Sequence, residues 1–155
     1  MKNLLSVFAV AILFLAPAAY AKEVAVFLAV TGPLTPFEKN ELSKDVVEGL
    51  SARFELRYGA EVDHYVKKVF QEESKKNDCD ETDCYRRIAA FYHAEKIVAL
   101  RVAEIEKGRY LVTAHLYDVP TGEMSSSEKE ECAQCSFEKL KVLCKEITRR
   151  MSKVR

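Results

Sequence analysis

The sequence predicts an α/β fold, a single domain in which a mixed sheet with flanking helices follows the order β-α-β-α-α-β-β-β-α and is stapled by cysteines. Three observations carry that expectation. Lys96 to Gly122 reads as two antiparallel strands closed by a glycine turn. Val24 to Val30 is an unbroken apolar run of strand length, and a long helical stripe follows it, as in a βαβ unit. Among 155 residues there are 5 cysteines, four of them in two close pairs.

The chain opens with Lys2, an apolar run from Leu4 to Ala16, and Ala19-Tyr20-Ala21. A positive start, a short apolar stretch and a small-x-small site make a secretory signal peptide. Residues 1–21 are therefore expected to be removed, leaving residues 22–155 as one domain in the periplasm or secreted beyond it. The apolar run is shorter than the roughly 20 residues that a bilayer crossing needs, so no stable membrane insertion is expected. No cysteine follows it directly, which argues against a lipid anchor.

In the domain itself, the strand Val24 to Val30 stops at Thr31-Gly32-Pro33. Thr35-Pro36-Phe37-Glu38 then supplies an N-cap, a proline at the first helical position and an acid placed to close a capping box. Leu42, Val46, Leu50 and Phe54 recur every four residues, with Val47 beside them, so a helix is predicted to run on to Tyr58 and stop at Gly59. Ala60 to Asp63 is read as a short strand, His64 to Lys75 as a polar helix with Val66, Val69 and Phe70 inward. A third helix is predicted from a Thr82 cap, carrying Cys84, Ile88, Ala89 and Tyr92.

The central hairpin alternates cleanly. Val98, Leu100 and Val102 share one face, as do Tyr110, Val112, Ala114 and Leu116 on the second strand, with Gly108 in the turn. Glu123 to Glu131 is expected to be an exposed edge strand because Ser125, Ser126, Ser127 and the acidic residues leave it little apolar surface. Ser136 is predicted to cap a closing helix with Leu140, Leu143, Ile147 and Met151 on one stripe and Val142 beside it. Arg149, Arg150 and Lys153 suit the negative pole of its dipole.

Charge excludes two classes of partner. The 24 basic and 24 acidic side chains are interspersed, so there is no field to hold nucleic acid or an anionic membrane. Catalytic constellations are missing as well. His64, His93 and His115 stand in no metal-binding or nucleophile pattern, and there is no phosphate-cradling glycine loop. The acids Asp78, Asp80, Glu81 and Asp83 lack the glycine and alternation of a calcium loop. Tyr85, Arg86 and Arg87 could face an anionic partner or simply solvent. No cofactor, no metal and no catalytic residue is expected.

The cysteines leave more than one reading open. In an oxidising compartment Cys79 with Cys84 and Cys132 with Cys135 are disulfide candidates, and Cys144, beside the inward stripe of its helix, is the candidate free thiol. The pairing is not fixed by spacing. Cys132-Ala133-Gln134-Cys135 also lies just before a helix, where the dipole favours the thiolate of a thiol-disulfide oxidoreductase. Four thiolates in two pairs could alternatively close around zinc.

The pattern Cys-x4-Cys, a short helix, an Ile-Val strand, a glycine hairpin and a strand ending Tyr-Asp-Val-Pro-Thr-Gly-Glu resembles the α/β domain shared by CsgG, LpoB and the amino-terminal domain of TolB. It rests on Cys79, Cys84, Ile88, Ala89, Ala94, Ile97, Val98, Gly108, Tyr110, Leu116, Asp118, Thr121, Gly122 and Glu123. The resemblance implies a noncatalytic envelope module that binds envelope or periplasmic protein partners or assembles as a homo-oligomer. The edge strand, with Ser125, Ser126 and Ser127, is the candidate contact for such a partner.

Overall fold

The computed structural model describes residues 22–75 and 81–153. The segment 1–21, read as a signal peptide, lies outside the described residues, as do Cys79 and residues 154–155. The elements are β1 (Glu23–Phe27), α1 (Pro36–Leu50), β2 (Phe54–Arg57), α2 (Ala60–Glu73), α3 (Glu81–Tyr92), β3 (Lys96–Glu106), β4 (Arg109–Asp118), β5 (Glu123–Cys132) and α4 (Phe137–Met151). That is the element order expected from the sequence. They form one five-stranded sheet in the order β2-β1-β3-β4-β5. β1 pairs in parallel with β2 and β3, while β4 runs antiparallel to both β3 and β5, so the sheet is mixed.

The unbroken apolar run of β1 has a direct cause, because helices cover both of its faces. Ala25 and Phe27 belong to one core, with Leu42, Val46 and Leu50 of α1 and Leu140, Cys144, Ile147 and Met151 of α4. Val26 and Leu28 belong to the other, with Val62 and Val69 of α2 and Cys84, Ile88 and Ala89 of α3. The hairpin alternation follows from the same layering. Val98, Leu100, Val102, Val112, Ala114 and Leu116 all point to the α1 and α4 side, whereas Ile97 points to the other. Burying each such aliphatic side chain contributes roughly 1.5–3 kcal/mol.

Local signals set the starts of α1 and α4, whereas Thr82, expected to cap α3, lies within that helix, which already begins at Glu81. Glu38 N–H donates to Thr35 Oγ1 (3.2 Å) and Thr35 N–H donates to Glu38 Oε2 (2.9 Å), which completes the capping box of α1. Ser136 Oγ accepts from Lys139 N–H at 3.3 Å and caps α4.

The end of α1 differs from the sequence expectation. α1 stops at Leu50 with Ser51 as its C-cap, and Phe54, predicted as the last residue of its stripe, instead opens β2, 2% exposed and in register with Glu23. A spacing of four is compatible with a helix and, being even, with one face of a strand; the pairing with β1 decides. Gly59 (φ 99°) is consequently the N-cap of α2 and not the stop of α1. Ala60 to Asp63, expected as a strand, is the first turn of α2, where Glu61 and Asp63 suit the positive end of the helix dipole.

Candidate functional site

β5 is an edge of the sheet, and no strand pairs with its outer side among the described residues. With ten residues it is the longer of the two edges, β2 having four. Its two halves are built differently. Tyr117 is in register with Met124 and Leu116 with Ser126, so Ser125 is the extra residue of a bulge, and its hydroxyl donates to the Leu116 carbonyl at 3.1 Å. Ser126 faces Leu116, and Ser127 faces His115. From there to Cys132 the pairing is regular, which leaves an extended edge open to another strand.

Beside that regular half runs a groove of about 660 Å³. Glu130, Glu131, Cys132 and Ala133 line one side, and Glu138, Val142, Leu143 and Arg150 lie among the residues on the α4 side. Val142 is 64% exposed there, on a helix whose other apolar side chains are mostly buried. Arg150 binds Glu130 and also Glu128 (3.3 Å), so α4 is fastened to β5 across the groove floor. Arg109 holds Glu131, which lowers the Glu131 carboxyl below its usual range.

Cys132 and Cys135 are joined by a disulfide, with Cα atoms 5.3 Å apart. The bridge closes the corner between β5 and α4, and Gln134 inside it takes a left-handed φ of 48°. Cys135 N–H donates to the Gly108 carbonyl at 2.9 Å, and Cys135 packs against the α1 and α4 core. One corner thus ties the β3–β4 turn, the end of β5 and the start of α4.

The other candidates lie apart from this corner. Cys84 is buried on α3, and its expected partner Cys79 falls outside the described residues. Cys144 is a buried free thiol, pushed up to about 12 by burial and secondarily by the Asp45 carboxylate. His64, His93 and His115 stand on α2, after α3 and on β4, and no group of three metal-ligating side chains occurs among the described residues. The α3 arginines are held by carboxylates. Arg87 pairs with Glu72 and Glu73, Arg86 with Asp83, and the half-buried Tyr85 donates to Glu81.

Two features were not read from the sequence. The groove arises where β5 meets α4 in space, which no local pattern states. The second is a surface cluster of Tyr65, Phe91 and Tyr92 between α2 and α3, whose rings touch pairwise. A signal for it existed. Phe91 falls outside the apolar stripe of α3, an aromatic residue on a solvent-facing position.

The architecture is that of the LpoB-like α/β domains, the fold likeness that the hairpin and turn residues implied. The C-terminal domain of LpoB from Salmonella enterica superposes with a TM-score of 0.51 at 17% identity, covering 77% of this chain and 88% of that one. The hypothetical protein CT253 from Chlamydia trachomatis gives 0.52 at 15% identity, covering 86% and 98%. PelC from Paraburkholderia phytofirmans, a dodecamer, gives 0.50 at 12% identity, covering 86% and 89%. At such identities the likeness is one of fold. No family model matches the chain, and no curated protein matches it in sequence. No helix among the described residues is long and apolar enough to cross a membrane.

Proposed function

We propose that the protein is an exported, noncatalytic module of the bacterial envelope that binds a protein partner through the β5 edge. The observation that carries this reading is the regular, uncovered edge from Ser126 to Cys132 lying beside the groove with its exposed Val142. An added strand would take its main-chain bonds from β5 and lay alternate side chains into the groove, the usual division between affinity and specificity in strand addition. The bulge at Ser125 blunts the other half of the edge, so Ser126 and Ser127 mark where such a ladder begins. The likeness to an LpoB domain and to the PelC subunit supports an envelope setting, and the signal-like segment supports export.

The test is site-specific photocrosslinking in the native compartment, with the crosslinker at Ser127, Lys129 or, as a control on α1, Lys44. Discrete adducts from the two β5 positions and none from Lys44 are expected. Adducts independent of position, or only from α1, would overturn the assignment.

A second reading, thiol-disulfide exchange by Cys132 and Cys135, draws on their position at the start of α4, where a helix dipole favours a thiolate. The half-buried Cys135, bonded through its amide to Gly108, weighs for a corner staple instead. Reduction of a model disulfide by the reduced protein, lost in Cys132→Ser, would move this reading ahead.

A further inference from the structure

On the side of the molecule formed by α2 and α3, Tyr65, Phe91 and Tyr92 build an aromatic cluster in which Tyr65 and Tyr92 pack in part against the core beneath and Phe91 stands out into solvent. Tyr65 and Phe91 are stacked with ring centroids 4.1 Å apart, and Tyr92 meets both edge-on, at 5.8 Å from Tyr65 and 4.9 Å from Phe91. Mutual contact holds the three rings in one arrangement. Phe91 nevertheless remains 57% exposed, so the cluster keeps a large apolar face in water. Together with Ala60, Glu61 and His64 the rings line an open cleft of about 460 Å³.

The electrostatics of the cleft favour one sign of charge. Glu61 is exposed and makes no ion pair or side-chain hydrogen bond among the described residues. Asp63 follows on the same turn, and both carboxylates raise Tyr92, after burial as the larger cause. Of the nearby cations, one is engaged elsewhere and the other offsets Asp63, which leaves Glu61 as the carboxylate free to meet a cation. Arg87 is held by Glu72 and Glu73, and Lys67 lies beside Asp63. The positive end of the α2 dipole amounts to about half a charge, less than the full charge of the Glu61 carboxylate. Aromatic faces add their own attraction for a cation, stronger the more the cation is desolvated.

The geometry points to this cleft as the docking site for an arginine side chain of a partner polypeptide, its guanidinium laid on the Phe91 and Tyr92 rings and its charge met by Glu61. Arginine fits better than lysine because a planar, weakly hydrated guanidinium stacks on rings while its N–H groups reach a carboxylate. The open shape fits a side chain better than a small molecule, which a pocket normally buries by 70–90%. The site is separate from the β5 edge and stands whether or not that edge binds a strand.

The experiment is an NMR titration of the protein at low salt, following the ring resonances of Tyr65, Phe91 and Tyr92. The probes are blocked Gly-Arg-Gly, the same peptide with neutral citrulline in place of arginine, and tetramethylammonium. Saturable ring shifts with the arginine peptide at millimolar concentration are expected, at least tenfold weaker with citrulline. Glu61→Gln should weaken the arginine peptide about three- to tenfold with the fold unchanged, and Phe91→Ala, at an exposed position, should remove binding while the far-UV spectrum stays native. Equal binding of the arginine and citrulline peptides, absence of ring shifts, or undiminished binding by either variant would overturn the proposal. Binding of tetramethylammonium as tight as the arginine peptide would overturn it in favour of a small-amine site.

Discussion

Gly49 of α1 lies so close to Thr148 of α4 that a methyl group at Gly49 would stand 2.4 Å from the Thr148 hydroxyl and 2.9 Å from the Lys145 carbonyl. Thr148 has no room to yield. It is fully buried, with its single hydroxyl proton shared between the carbonyls of Cys144 (2.9 Å) and Lys145 (3.0 Å). Gly49→Ala is therefore expected to destabilise the protein by about 1–3 kcal/mol through overpacking, despite the better helix propensity of alanine. Urea unfolding measures it. An unchanged midpoint would mean that α1 and α4 can separate without loss.

Asp118 anchors the turn that follows β4. Its carboxylate binds Lys96 of β3 and accepts from Thr121 N–H at 3.0 Å, while its carbonyl accepts from Gly122 N–H at 3.0 Å. The Lys96 hydrogen bond and then the Thr121 amide hold the Asp118 carboxyl below its usual range. A carboxyl lowered by folding stabilises the folded state above its unfolded value and loses that contribution as pH falls through the folded one. Asp118→Asn should cost about 1–3 kcal/mol at neutral pH. The difference in melting temperature between wild type and variant should shrink once pH drops below about 4, where the unfolded carboxyl begins to protonate. A difference independent of pH would assign the loss to shape alone.

How much could be read in advance follows from where each signal resides. The β3 and β4 alternation was legible because a helix layer meets the sheet on the α1 and α4 side along its length, so burial writes itself into every second residue. The end of β1 was legible only in part: the strand stops at Phe27, short of the expected Val30, and Thr31 adds an isolated bridge to Arg101 before Gly32, where a φ of 137° and the place a Cβ would take, 2.0 Å from the Val102 carbonyl oxygen, mark the turn itself. The boundary between α1 and β2 was not, since Leu50 and Phe54 sit at a spacing that helix and strand both permit. The groove and the aromatic cleft were hidden because each is made by two elements distant in sequence, β5 with α4 and α2 with α3. Only their odd members, Val142 and Phe91, carry a local trace as apolar residues in water.

Cys144 is expected to resist chemistry in the folded protein. Burial holds its thiol far above the usual range, so very little thiolate forms at pH 8, and burial blocks access as well. Iodoacetamide at pH 8 should leave Cys144 unmodified for hours in buffer and alkylate it promptly in strong urea, with mass spectrometry locating the adduct. Prompt labelling without denaturant would show that α4 lifts from α1 on a short timescale.

The Cys132–Cys135 bridge closes a very short loop, so the entropy it removes from the unfolded chain is small. The chain-entropy relation gives about 2 kcal/mol for a loop of this size. Cys132→Ser with Cys135→Ser should then lower stability by about that amount while leaving the far-UV spectrum intact, because β5 remains paired to β4 along its length and α4 keeps its Ser136 cap. The same double variant separates local from global effects. If the corner serves as a staple for the groove, amide exchange should quicken at Gly108, Cys135 and the first turn of α4 and stay slow on β1 and β3. Uniform acceleration across the sheet would show that the bridge acts on the unfolded chain alone and that the Gly108 bond and the Arg109–Glu131 pair suffice to hold the corner.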